Sequence, residues 1–231
     1  MTATLASGVL TISGEGDMNK YTFSYPEITT LPWYSVRTDI TSIIIESGVT
    51  SISDYAFRNC TGLTSITIPE SVVSIGRSAL YECWNLTYID IPKNVTTIGD
   101  NAFAFCTSLE SIVIPSGVTV IEANVFGGCR NLTSIDIPKN VTSIGESAFN
   151  GCTSLESIVI PSGVKTIGQW AIANCLSLTH IVIPGGVTFG YVAFQSSGLS
   201  TVTVTGSYAA ASGTVGAYFS TGKTWVLPGA S

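Results

Sequence analysis

The sequence is poor in charge, in basic residues and in histidine. Only 10% of its 231 residues are charged, and nine Lys and Arg stand against fifteen Asp and Glu, which gives a formal net charge of −6. Nucleic acids and anionic membranes attract clustered Lys and Arg, so the composition argues against either as a partner. His180 is the one histidine and no Cys-x-x-Cys pair occurs, so a zinc site lacks a plausible ligand set. We predict no metal and no cofactor.

Long apolar runs and catalytic motifs are also missing. No segment reaches the ~18–20 apolar residues of a membrane span, and residues 1–17 lack the basic start and apolar centre of a signal peptide. There is no Gly-x-Ser-x-Gly elbow, and STGKT at 220–224 lacks the glycine spacing of a phosphate-binding loop. We therefore predict that the protein does not insert into a membrane and is not an enzyme.

A 23-residue repeat dominates what is present. Thr, Ser, Ile, Val and Gly are frequent, which is typical of strands and turns. Successive coils begin at Ile40, Leu63, Leu86, Leu109, Leu132, Leu155 and Leu178, and a partial strand begins at Leu199. No single coil can bury its apolar face, so stacking must create the core, which predicts a solenoid over residues 40–198.

The third coil, residues 86–108, shows the pattern within a repeat. The spacing of Ile89 and Ile91 has the two-residue period of a strand, and Pro92 ends that strand. A second short extended segment covers residues 95–98. Ala102 and Phe103 then begin a tight helical or irregular turn that leads back to the core.

Each coil but the last also carries a cysteine. Residues at one site of successive coils lie roughly 4.8 Å apart, a little less than the ~5.5–6 Å usual between the Cα atoms of a disulfide. We predict buried free thiols, with disulfides as the alternative. The cysteines are Cys60, Cys83, Cys106, Cys129, Cys152 and Cys175.

The repeat L-x-x-I-x-I-P-x-x-V-x-x-I-G-x-x-A-F-x-x-C-x-x resembles the leucine-rich repeats of the BspA-like family of bacterial and protist surface proteins. The lead-in GVLTISGEGDMNKY…PWYS…ITSIIIESGVTSI is similar to the segment found before such repeats in gut Firmicutes proteins. The resemblance implies a mainly β, right-handed leucine-rich-repeat solenoid of about seven to eight coils with terminal caps. It also implies no catalytic residue, an extracellular or cell-surface location, and a protein or glycan partner on a host or neighbouring cell.

The two ends depart from the repeat. Residues 1–39 are predicted to form an N-terminal cap, a hairpin containing the strand Val9 to Ser13 followed by an aromatic loop, in which Trp33 and Tyr34 are a plug or, alternatively, a sugar platform. Residues 199–231 are predicted to form a C-terminal cap with a last strand near 224–227, and a flexible linker is the alternative. The remaining cap aromatics are Tyr21, Phe23, Tyr25, Tyr208, Tyr218, Phe219 and Trp225.

Positions that the core does not dictate are the candidate binding positions. On the outer face of the first strand, one column is serine except at Tyr88 and His180. The other candidates lie around the turn and the cysteine, and their residue types are mostly those enriched at interface hot spots; some of these rings could instead pack on neighbouring coils. They are Tyr55, Tyr81, Trp84, Phe105, Arg130 and Trp170.

The sequence thus predicts a non-enzymatic binding or adhesion module that uses the solenoid surface. A structural, self-associating component such as a surface-layer or virion part is the alternative. The oligomeric state is left open, with a monomer favoured.

Overall fold

A computed structural model describes residues 1–21, 31–205 and, for the backbone alone, 224–226. The predicted cap aromatics Phe23, Tyr25, Tyr208, Tyr218 and Phe219, together with the segment 220–223, lie outside the described residues. Within them the chain is almost entirely short strands and turns, with one 3₁₀ helix, η1 (Tyr34–Asp39). The strands in chain order are β1 (Thr2–Ala6), β2 (Val9–Ser13), β3 (Gly16–Asp17), β4 (Ser42–Ile45), β5 (Val49–Ile52), β6 (Ser65–Thr67), β7 (Ser74–Ile75), β8 (Tyr88–Ile89), β9 (Thr97–Ile98), β10 (Ser111–Ile112), β11 (Val120–Ile121), β12 (Ser134–Asp136), β13 (Ser143–Ile144), β14 (Ser157–Val159), β15 (Thr166–Ile167), β16 (His180–Pro184), β17 (Thr188–Phe189), β18 (Thr201–Thr205) and β19 (Thr224–Val226).

Two parallel strand ladders run along the solenoid. The first ladder consists of three sheets in line, β1-β2-β4-β6, β8-β10 and β12-β14-β16-β18-β19, and β1 is the antiparallel strand at its N-terminal end. An isolated bridge between Val113 and Asp136 joins the second sheet to the third. The second ladder holds the short strands β3, β5, β7, β9, β11, β13, β15 and β17. Ser42 pairs with Ser65 and Ile135 with Ile158, so the register equals the 23-residue repeat, except at the shorter seventh coil, where His180 pairs with Thr201. The mainly β solenoid predicted from the sequence is confirmed.

A third set of hydrogen bonds joins the coils through their turns. The N–H groups of Tyr55, Phe57 and Asn59 donate to carbonyls of the next coil, at N···O distances of 2.9, 2.8 and 2.8 Å. The region predicted as a helical or irregular turn therefore has regular inter-coil bonding without being helix or strand. Its buried backbone groups are satisfied by the neighbouring coil.

The core lies between the two strand ladders and the hydrogen-bonded turns. It consists of side chains from the same position of successive coils, stacked on one another. Phe103 and Phe126 stack with ring centroids 5.8 Å apart, and Phe126 and Phe149 with centroids 5.6 Å apart. All six cysteines are fully buried free thiols, as predicted. From the second coil onward, each Sγ–H donates to a carbonyl of the preceding coil, as from Cys129 to Phe103 O at 3.2 Å.

The second ladder is interrupted once, between β9 and β11. The residue after the strand is glycine in the other coils from the second onward, and Glu122 takes that place in the fourth. At Gly99 an added Cβ would lie 2.7 Å from the backbone N of Arg77. A side chain at this site does not fit the close approach of two coils, which explains why the ladder breaks at Glu122.

The N-terminal end is capped by an atypical coil. The predicted strand Val9 to Ser13 is present, but its hairpin partner is β1, through a turn at Ser7 and Gly8 that both have positive φ, as a two-residue type I′ turn requires. After β2, a bend at residues 14 and 15 leads into β3, which pairs in parallel with β5.

Trp33 covers the turn of the first coil at the N-terminal end of the solenoid. The ring is buried and stacks on Phe57 at 6.0 Å. Its indole N–H donates to Ala56 O at 2.8 Å. This carbonyl lacks the backbone N–H donor that a preceding repeat coil would supply. Trp33 therefore packs as a plug rather than as an exposed sugar platform.

Candidate binding surfaces

The stacked turns, which occupy residues 54–62 in the first coil and the matching residues in later coils, form the surface that we call the turn edge. Two positions in every turn have a left-handed backbone, with φ of 62° at Tyr55 and 59° at Asn59 in the first coil. Between them the backbone directs N–H groups towards the next coil. The same conformation recurs in the following coils, because the 23-residue register aligns the turns.

Six of the fourteen residues at these left-handed positions are asparagine or glycine, types that adopt positive φ with little steric conflict. The other eight are three serines, Glu82, Val192 and three aromatic residues. Large aromatic side chains are disfavoured there, at about 1–2 kcal/mol per residue.

Three predicted site residues nevertheless occupy left-handed positions. They are Tyr55, Phe105 and Trp170, with φ of 62°, 59° and 54°. Phe105 and Trp170 are each 38% exposed, so neither ring is a core residue. The core therefore does not explain why these aromatic rings stand where asparagine, serine or glycine would suffice.

An aromatic cluster ties the first four coils together along the turn edge. The Arg58 guanidinium carbon lies 4.2 Å from the centre of the Tyr81 ring, and Tyr81 meets Phe105 edge to face at 5.5 Å. Phe105 in turn covers Gly128, where an added Cβ would lie 2.6 Å from the ring. Burial, and after it the Glu82 carboxylate, raises the pKa of the Tyr81 hydroxyl. These two rings are therefore partly packing groups that contact neighbouring coils.

A second row on the turn edge consists of the residue that follows the cysteine in each of the first six coils. Trp84 and Arg130 are exposed, and so is Leu176, which the sequence analysis did not select. They alternate with threonines, and Thr107 donates its hydroxyl to Trp84 O at 3.4 Å. Row members two coils apart lie roughly 9–10 Å from each other. The signal that could have found Leu176 is its place in the same alternating column.

The outer face of the first ladder is a separate surface. Tyr88 is 54% exposed and His180 is exposed, as predicted. The two are four coils apart, about 19 Å, so they do not form one site. Between them Val113 and Val159 are 67% and 66% exposed, and they alternate with Asp136 on the same column.

Two open grooves lie elsewhere on the surface, and the second reaches the turn edge only at Asp54. One, of 480 Å³, crosses the second to fourth coils and is lined by Asp90, Lys93 and Val113 above Ile91 and Ile114. The other, of 410 Å³, adjoins the N-terminal cap beside Asp17 and Tyr21. Neither contains any of the predicted site residues.

The titratable groups offer little for chemistry. Burial raises the pKa of the Cys60, Cys106 and Cys175 thiols to about 12, so they stay protonated and are poor nucleophiles. In the part of the chain that the structure describes, no group of three or more His, Cys, Asp or Glu side chains could hold a metal ion. Nor does any helix there have the length and apolar character of a membrane span.

Comparison with known proteins identifies the repeat. The family described as BspA type leucine-rich repeat region matches residues 33–132 and 119–213, in six copies. A search of curated proteins finds no significant match.

Solved structures of bacterial leucine-rich repeat proteins have the same fold. One from T. pallidum is 26% identical, with a TM-score of 0.62 and coverage of 82% of both chains. One from Bacteroides ovatus is 25% identical, with a TM-score of 0.58 and coverage of 88% of this chain and 69% of that one. One from Eubacterium ventriosum is also 25% identical, with a TM-score of 0.52 and coverage of 87% and 69%.

Proposed function

The chain belongs to the BspA-type leucine-rich repeat family, and we propose that it is a non-enzymatic binding or adhesion module that recognises an extracellular protein or glycan through the turn edge of its solenoid. The same family relation supports a location at the cell surface or outside the cell. Labelling of surface proteins on intact source cells tests that location.

The observation that carries the proposal is the placement of Phe105 and Trp170. Both rings are exposed, and both sit on a left-handed backbone that disfavours them by about 1–2 kcal/mol each. Strained backbone of this kind clusters at functional sites, and among the strained residues of the turns Phe105 and Trp170 are the two with exposed aromatic rings. Exposed aromatic residues are the side chains that dominate binding energy at interfaces.

The neighbouring side chains suit a large partner. Trp84 and Trp170 are four coils apart, about 19 Å along the solenoid, and Arg130 lies between them. Phe105 is held in place by Tyr81 and Gly128. A surface that is already ordered loses little side-chain entropy on binding, so the turn edge is better suited to a macromolecule than to a small ligand.

Two features support a binding role over catalysis. The buried thiols are protonated at neutral pH, since burial raises their pKa. His180 lies on the first-ladder face, away from the turn edge. A nucleophile needs an activating base within hydrogen-bonding reach, and no such arrangement involving His180 and a cysteine exists.

The turn edge is tested with the double variant Trp84→Ala, Trp170→Ala. Binding of labelled protein to intact epithelial cells is measured by flow cytometry, and binding to isolated glycans on a glycan array. Because hot-spot residues contribute at least about 2 kcal/mol each, we expect a loss of affinity of at least tenfold.

The matched control is Val113→Ala, Val159→Ala, which removes two exposed apolar side chains from the first-ladder face. Circular dichroism and urea unfolding confirm that each variant is folded. If the valine variant loses binding and the tryptophan variant does not, the turn edge is the wrong surface.

A structural, self-associating component of a surface layer or virion is the second candidate. The exposed valines of the first-ladder face favour it, since such apolar groups also serve contacts between copies. Light scattering separates the two roles, because a structural component forms large assemblies and a binding module does not.

A further inference from the structure

Strand β1 (Thr2–Ala6) presents a free edge at the N-terminal end of the first ladder. It pairs with β2 on one side, and within the described residues no strand pairs with its other side. All five of its residues are exposed. The outward N–H and C=O groups of this strand are therefore available to another strand.

The other sheet edge at the same end of the molecule is protected, and β1 is not. β3 has two residues, one of them Asp17, and its register with β5 is irregular. Short length, charge and irregularity are the devices by which proteins prevent edge-to-edge pairing. β1, with the sequence TATLA, has no charge, no proline and no bulge, and its turn at Ser7 and Gly8 is uncharged as well.

The core-facing side of β1 is also uncovered. Ala3 lies opposite Ile12 and Leu5 opposite Leu10. Leu10 and Ile12 are 1% and 2% exposed, whereas Leu5 is 41% exposed. The core-facing side of the first ladder is thus buried at β2 but exposed to solvent at β1.

We propose that two copies of the chain pair head to head through β1, as antiparallel strands centred on Thr4. The strand is self-complementary in this register. Leu5 of each protomer then lies beside Ala3 of its partner on the core-facing side, so a large side chain covers a small one, and the two Thr4 side chains meet on the two-fold axis. The contact is isologous and uses up both edges, so assembly stops at a dimer.

The dimer adds to the proposed binding function, but its formation does not depend on the ligand. Each dimer carries two turn edges, and two linked sites bind a surface more tightly than one does. A failure to dimerise leaves the proposed binding function standing, and a failure to bind leaves the dimer standing.

The test is a charge exchange at the two-fold axis. Sedimentation velocity and light scattering over a dilution series are applied to the wild type, Thr4→Lys and Thr4→Glu at low salt. We expect the wild type to be in monomer–dimer equilibrium. Like charges opposite each other at about 4 Å weaken the dimer about fivefold, and mixing the two variants should restore it through the opposite charges.

The control is Thr67→Lys with Thr67→Glu, because Thr67 is an exposed threonine on β6, which is separated from β1 by β2 and β4. These variants should dimerise as the wild type does, and circular dichroism verifies folding in all cases. A wild type that stays monomeric at 200 μM overturns the proposal. So does an open series of trimers and larger species, or a Lys–Glu mixture no more dimeric than either variant alone.

Discussion

Replacing Gly168 by alanine tests whether close approach of the coils explains the glycine of the repeat. Gly168 follows β15, and its φ is not in the left-handed region, so alanine is allowed by the backbone. The added Cβ, however, would lie 2.5 Å from the backbone N of Glu146, whereas ordinary contact begins at 3.4 Å. The two coils would have to separate by about 0.9 Å, the difference of these values.

The expected loss of stability follows from that separation. It weakens the bond from Gly168 N to Ile144 O, now 2.8 Å, and the pairing of β15 with β13. A hydrogen bond contributes about 1 kcal/mol and overpacking costs about 1–3 kcal/mol. Alanine returns about 0.4–1 kcal/mol by restricting the unfolded chain. We expect the free energy of unfolding to fall by about 1–3 kcal/mol, the balance of these effects.

Urea unfolding followed by circular dichroism measures this change. Gly117→Ala is the matched control, because its added Cβ would lie 3.0 Å from Thr96 Cγ2 and 3.1 Å from Val95 O, so the neighbours need to move by only a few tenths of an ångström. Amide exchange at Thr166 and Ile167 should rise in the Gly168 variant. If the two variants unfold at the same urea concentration, close approach of the coils is not the reason for the glycine.

Three further predictions concern the core, the cap and pH. The six thiols should resist alkylation at pH 8–9 in the folded protein and all react in urea, because burial raises their pKa, to about 12 at Cys106; mass spectrometry counts the labels, and a thiol labelled quickly in the folded state contradicts the reasoning. Trp33→Phe should lower the free energy of unfolding by about 1–3 kcal/mol, because it leaves the buried Ala56 carbonyl without its donor; chemical denaturation measures it, and Trp84→Phe, at a position that is 48% exposed, is a control for loss of a tryptophan signal. Burial, and then the Asp100 carboxylate, raises the pKa of Glu122 above 4.5 on folding, so its contribution favours the folded state below pH 4.5 and is lost as pH rises through the folded pKa. Glu122→Gln should therefore reduce the decline in stability between pH 4 and pH 7, which urea titrations at both pH values would show; an unchanged decline refutes the assignment.

The candidate site could be predicted only in part. Trp84, Arg130 and Trp170 are exposed on the turn edge as the residue types suggested. The sequence could not show that Arg58, Tyr81 and Phe105 pack against one another, because that depends on rotamers across three coils. Whether any of them contacts a partner stays a prediction.

The turn conformation and the free edge also escaped prediction. Asparagine and glycine recur at the left-handed positions, as at Asn124 and Gly151, and that signal was available. β1 had only a weak signal, since Thr and apolar residues alternate over just four residues, Thr2 to Leu5. Its pairing with β2 came from the Ser7–Gly8 turn.

By itself the sequence determined the solenoid, its register and its core. A fixed spacing of 23 residues gives the coils the same apolar positions, and only stacking at one register buries them all. Phe126 must therefore stack on the phenylalanines at the same position of neighbouring coils, and Cys129 must face inwards. Tertiary structure alone decided how closely the coils approach, where the second ladder breaks at Glu122, and which surface residues meet. Those outcomes depend on differences of less than an ångström in the distances between residues of different coils. The spacing of residue types in the sequence does not specify such differences.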